Sequence, residues 1–166
     1  MSVLRVVLGG GLLLGATLAL GQETATREAP ALAVIVNPNN PVTDLSVSQL
    51  RAYLKMERQF WPNGRRCEIF LRPSDTLETR ILLDKIYKLP KDALDKYWDG
   101  KLYRGDIPSK PIPVPSAAAA ASRVRESEGG ISIVLANEIP SGVRVLTIGH
   151  AKPGDPKYPL VGEIAR

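Results

Sequence analysis

Cysteine and histidine are almost missing from this 166-residue sequence: each occurs once, as Cys67 and His150. One cysteine excludes an intramolecular disulfide, and a lone Cys and a lone His far apart in the chain do not make a metal site. Cys67 stands in the apolar stretch Cys67-Glu68-Ile69-Phe70-Leu71 and reads as a small buried hydrophobe. Aromatic residues are only 5% of the chain. They do not interleave with basic residues, and no Lys/Arg run exceeds two, so the pattern indicates no nucleic-acid binding. Glu57, Asp84 and Asp99 form no recognisable acid/base pair, and there is no nucleophile elbow. The expectation is therefore a protein without catalytic residues, metal or cofactor.

Long apolar runs are also scarce. The one that exists, Val6 to Leu20, follows Arg5, the sole charged residue between Met1 and Gly21. Ala19 and Gly21 supply the small residues of a signal-peptidase site. The run is Gly-rich and shorter than the roughly 20 apolar residues of a membrane span. These features predict a signal peptide over 1–21, a polar linker over 22–30 and one domain over 31–166, with the mature chain in the periplasm and free of a membrane span. Cleavage would remove one Arg and leave 145 residues with 21 basic and 17 acidic side chains. That is long enough for one proper core, and its mild positive charge favours an anionic solute or surface.

The remaining chain reads as alternating strands and helices. Ala31 to Val36 is a short buried strand ended by Asn37-Pro38-Asn39-Asn40-Pro41. Ser46 and Gln49 form a capping box, with Leu45 and Leu50 as its staple, for a helix running to about Met56. Trp61-Pro62-Asn63-Gly64 carries a tight-turn signal. Arg66 to Leu71 is a second strand. Pro73 to Thr76 opens a second helix, with Asp75 and Glu78 as its capping pair, and Pro90 stops it. A third helix runs from Lys91 to Trp98 and ends at Gly100. Pro111 to Pro115 suits only a sheet edge. Ser116 caps an alanine-rich helix from Ala117 to about Ser127. Ile131 to Leu135 and Val143 to Ile148 are the last strands. Expected core residues are Val34, Ile35, Ile69, Leu71, Ile133 and Val134 in the sheet, and Leu50, Leu54, Ile86, Tyr97 and Trp98 on the helices. This order predicts an α/β three-layer sandwich with a mixed, mostly parallel sheet.

Several of these segments together resemble one lobe of the periplasmic substrate-binding protein of phosphate ABC transporters, a type 2 periplasmic binding protein. The similarity rests on Val34 to Pro41, on Leu45-Ser46-Val47-Ser48-Gln49-Leu50 followed by Trp61-Pro62-Asn63-Gly64, and on Arg72 to Thr76. Tyr97-Trp98, Gly129-Gly130-Ile131 and Lys157-Tyr158-Pro159-Leu160 complete it. It covers roughly residues 31 to 164. Met56 stands where the family has a glycine before its Trp turn, and the loop Arg72-Pro73-Ser74-Asp75-Thr76 is shorter than the family's ligand loop and has no glycine.

The resemblance implies a solute-binding-like protein taking inorganic phosphate or a similar oxyanion. The residues it nominates are Arg72, Ser74, Asp75 and Thr76, with Ser116 added because it begins a second helix whose N–H groups attract anions. Asp75 can accept the proton of a monohydrogen oxyanion or simply cap the helix. Such receptors close two lobes around their solute, and the segments matched here account for one. The alternative is a periplasmic protein-interaction or sensing module, partnered by an envelope protein, that has lost its solute. Whether the helix starts at residues 76 and 116 converge on one open cleft holding Arg72 distinguishes the two.

Overall fold

The computed structural model describes residues 29–163. The signal peptide expected at 1–21 and nearly all of the linker lie outside the described residues. The order of elements is β1 (Leu32–Val36), β2 (Asp44–Leu45), α1 (Val47–Leu54), β3 (Glu68–Leu71), α2 (Leu77–Leu82), α3 (Lys91–Tyr103), β4 (Ile112–Pro113), α4 (Ala117–Glu126), β5 (Gly130–Leu135), β6 (Arg144–Val145) and β7 (Thr147–Ile148). Five strands form one sheet in the order β4-β3-β5-β1-β6, and β2 pairs with β7 apart from it. β4, β3 and β5 are mutually parallel, while β1 runs against both β5 and β6. Four strands therefore point one way and β1 the other. The sheet is mixed and mostly parallel in direction, as the sequence leads one to expect.

Alternation along β1 explains the layers. Leu32, Val34 and Val36 face a large cluster with Leu50, Leu54, Ile86 and Trp98 from α1 to α3. Ala33 and Ile35 point the other way, onto Ala120, Ala121 and Val124 of α4. Successive strand residues point to opposite faces, so a run buried throughout needs cover on both sides. The result is a three-layer sandwich with one thick and one thin helical layer. The alanines make the thin layer possible, because they let α4 lie close to the sheet. Leu71 and Tyr97 are half-buried at the margin of the large cluster; the other expected core residues are buried.

Local signals set most boundaries. Ser46 accepts from Gln49 N, and the Gln49 side chain accepts from Ser46 N at 2.8 Å, completing the capping box. Gly64 turns the chain at φ 79°. Trp61 N–H donates to Arg65 O at 2.8 Å and Gly64 N–H to Trp61 O at 2.9 Å, closing the turn. The Trp61 ring then stacks on Tyr53 with centroids 4.2 Å apart and donates its Nε1–H to Gly129 O at 2.9 Å. Gly129 is needed there, since a Cβ would lie 1.8 Å from Arg66 O. Met56 adopts φ 51°, the left-handed region that favours glycine. The resemblance thus located a real backbone requirement even where the residue differs.

Four expectations need correction. Thr76, not Asp75, caps α2: its extended backbone brings Oγ1 to the Thr79 N–H, and Asp75 lies one residue too early. A π-helical turn, Leu83–Tyr87, follows α2, and Arg51 Nε donates to Ile86 O there at 2.6 Å. α3 passes through Gly100 to Tyr103, because the left-handed position that ends it falls at Gly105, φ 73°. Val143 to Ile148 is not one strand. Leu146 buries its side chain and donates its N–H to Val34 O, so β6 joins the large sheet and β7 pairs with β2.

Candidate functional site

β3 and β4 are parallel neighbours, with Phe70 opposite Ile112 and Leu71 opposite Pro113. Their following loops therefore leave the sheet at the same edge, and each leads into a helix. Residues 72–76 enter α2, and Val114 to Ser116 enter α4. The carboxyl ends of parallel strands are where α/β sheets bind ligands.

Arg72 ties the two loops together. Its Nη1 donates to Pro115 O at 2.6 Å, next to the cap of α4. Its Nε lies 3.6 Å from Glu78 Oε1, in the first turn of α2. The Glu78 side chain is only 7% exposed and that of Arg72 19%, so the pair is largely withdrawn from water. Nε itself is buried without a hydrogen-bond partner. Thr79 Oγ1 donates to Arg72 O at 3.1 Å and Thr76 Oγ1 to Pro73 O at 2.9 Å, holding the loop backbone.

The nominated residues divide by what they touch. Arg72 sits between the two helix starts. Thr76 and Ser116 serve as caps, accepting from Thr79 N at 3.4 Å and Ala119 N at 3.0 Å. Ser74 and Asp75 are exposed on the loop crest. A cap side chain satisfies one first-turn donor, and helix starts have several. α4 carries no acid in its first turn, so its positive end is uncompensated locally. At α2, Glu78 supplies negative charge instead. Chemically, this edge offers a guanidinium, a hydroxyl and helix N–H groups to an anion, and a carboxylate to any proton the anion carries.

Glu78 is the residue that sequence reasoning assigned the wrong job. Spacing from Asp75 made it a capping partner, whereas burial and Arg72 make it half of an ion pair. No periodicity links positions 72 and 78 across a loop, so only the fold reveals the pairing.

Beside this edge lies a cleft of about 730 Å³, lined by Leu77, Leu135, Ala136, Ile139, Val145 and Lys152 among others. It opens where β5 ends. Its walls are mainly apolar, and none of Arg72, Ser74, Asp75, Thr76 or Ser116 lines it. His150 is far from the edge in sequence and bonds elsewhere: its N–H donates to Asp44 Oδ1 at 2.8 Å. The Thr147 hydroxyl, donating to the same carboxylate, holds Asp44 below its ordinary carboxylate range. Cys67 is buried, and desolvation pushes its thiol up to about 12, so it is not poised as a nucleophile.

No family model and no curated protein matches this chain. Solved structures do. An ABC-type phosphate transport receptor from Vibrio cholerae superposes with a TM-score of 0.61 at 16% identity, covering 76% of this chain and 49% of the receptor. A phosphate ABC transporter substrate-binding protein from Clostridium perfringens, solved with bound phosphate, gives 0.60 at 12%, covering 75% and 47%. PstS from Borrelia burgdorferi gives 0.63 at 16%, covering 81% and 55%. The chain spans about half the length of these proteins. The likeness establishes a lobe of the periplasmic-binding-protein type as the fold, and the first two of these proteins are named as a transport receptor and a substrate-binding protein.

Proposed function

We infer that this chain is an exported solute-binding-type protein of the periplasm that takes phosphate or a similar oxyanion at the edge where β3 and β4 end. The reading includes a signal peptide at 1–21, a linker at 22–30 and a binding domain at 31–166. The observation that carries it is Arg72, which joins the starts of α2 and α4. An oxyanion there would meet the Arg72 guanidinium, the Ser74 hydroxyl, first-turn N–H groups of α2 behind Thr76, and those of α4 behind Ser116. Asp75 or Glu78 would accept its proton. The described domain presents one wall of such a site, so binding would be weak, about millimolar, until a second surface closes over it.

A second reading has its own support. The buried Glu78 carboxylate already compensates Arg72, and the adjoining cleft is apolar, which suits a protein partner from the envelope better than a solute. Calorimetry separates the two. The first reading expects heat with millimolar phosphate that falls roughly 10- to 150-fold in affinity for Arg72→Ala, the loss of one charge-assisted hydrogen bond. Ser141→Ala, in a turn elsewhere, should leave it unchanged. Absence of heat in the wild type leaves the interaction module, whereas equal binding by Arg72→Ala removes the site from the 72–76 loop and turns the search to the helix start at Ser116.

A further inference from the structure

The opposite end of β3 carries a feature that solute binding does not use. Residues 55–66 and 97–106 contain six basic residues against three acids, in a chain whose net charge is +5. The fold brings the two segments together: Lys101 Nζ donates to Met56 O at 3.3 Å, and Gln59 Nε2 to Asp106 O at 2.8 Å. Lys55, Arg65 and Arg104 are neutralised by Glu57, Glu128 and Asp106. Arg58, Arg66 and Lys101 make no ion pair among the described residues. Each instead lies over an aromatic ring: Arg58 over Tyr53 at 5.5 Å, Arg66 over Phe60 at 4.8 Å and Lys101 over Tyr97 at 5.3 Å.

Exposed apolar side chains gather at the same end. Phe60 is 50% exposed, Leu102 42% and Tyr103 94%, three of the five large hydrophobic residues so exposed among the described residues. Scattered apolar residues on a surface need no explanation, but here the Gln59–Asp106 and Lys101–Met56 bonds set the segments that carry them side by side. These three stand on a turn and a helix end, where they can enter another phase without unfolding anything. Uncompensated cations beside protruding aromatic and aliphatic side chains match an anionic bilayer. Phosphate headgroups meet the guanidinium and ammonium groups while Phe60, Leu102 and Tyr103 reach the interface. We propose that this end of the molecule is a docking face for the anionic lipid surface of a membrane.

Vesicle co-sedimentation of the full chain tests it, with phosphatidylcholine alone and with a 7:3 mixture of phosphatidylcholine and phosphatidylglycerol. The wild type should bind the mixed vesicles far better than the neutral ones, and high salt should release it. Arg58→Glu/Arg66→Glu should weaken binding about 20-fold or more, at roughly five-fold per cation. Phe60→Ser/Leu102→Ser/Tyr103→Ser should weaken it about 10-fold or more through lost apolar contact. Arg80→Glu/Arg123→Glu makes the same charge change on exposed positions of α2 and α4, and should stay within about three-fold, because screening confines the effect to nearby charges. Every variant keeps the N-terminal apolar run, so binding through that segment would survive all three sets and overturn the proposal. An equal loss in the Arg80/Arg123 pair overturns it too, since the effect would then be bulk charge. No binding by the wild type overturns it and leaves the face to an acidic protein partner. Unchanged melting temperatures certify that the variants are folded. Phosphate binding, at the far end of β3, is scored separately.

Discussion

The two ends of β3 hold their loops by different physics. Before the strand, Trp61 is buried, stacks on Tyr53 and donates to Gly129 O, so apolar burial and one satisfied polar contact fix the turn. After the strand, Arg72 holds two helix starts through a carbonyl and a half-satisfied pairing with Glu78. A packed aromatic has one good arrangement and no use for a competitor. A buried ion pair is costly to desolvate, and an anion or proton can compete for either partner. The first end is built for stability, and the second retains polar groups that a ligand can recruit.

The largest effect is expected at the first end. Trp61→Ala should cost about 3–5 kcal/mol in chemical denaturation, because it opens a cavity beneath Tyr53 and leaves Gly129 O with the Glu68 N–H as its one remaining donor. No second substitution should recover it. A cost below about 1 kcal/mol would show that the turn is not the anchor of this end.

A smaller effect, of another kind, is expected after the strand. Arg72→Ala should cost about 1–3 kcal/mol, less than a fully buried pair because Arg72 is partly exposed. The loss comes mostly from stranding the Glu78 carboxylate. Arg72→Ala/Glu78→Gln should therefore regain at least half of it, and failure to do so would make Arg72 a packing residue like Trp61.

The smallest effect sharpens the contrast through pH. Cys67 precedes β3 at the well-packed end, and burial raises its thiol to about 12, against roughly 8.5 in an unfolded chain. The folded state thus holds a proton that the unfolded state releases above the lower value. Stability should fall as pH rises through that window, by roughly 1–1.5 kcal/mol at pH 9.5. Cys67→Ala should flatten this part of the curve relative to wild type. Identical slopes would mean that the thiol is open to water and the end less tightly closed.

Much of the fold was legible because its signals are local. The capping box at Ser46, the turn at Asn63-Gly64, the cap at Ser116 and the apolar run of β1 each act within about one turn of chain, so residue order states them directly. The Met56 position was legible in a different way, from the place of a glycine in a resembling family. Where several local rules competed, the sequence was ambiguous. Asp75 and Thr76 are both good caps, and only the path of the chain out of β3 selects Thr76. Gly100 looks like a stop, but the helix ends where the chain can afford a left-handed residue, at Gly105.

By itself, then, the sequence determined the α/β class, most element starts and the mixed sheet covered on both faces, and it nominated Arg72 as a candidate ligand residue. Tertiary structure alone decided that Arg72 spans two helix starts, that Glu78 is buried beside it, that Val143 to Ile148 divides between two sheets, and that Phe60 shares an exposed cationic end with Leu102 and Tyr103. The reason is range. Caps and turns are closed by neighbours a few bonds away, whereas ion pairs, strand partners and surface patches join residues tens of positions apart. Their energies depend on burial and distance, which exist only once the layers have packed.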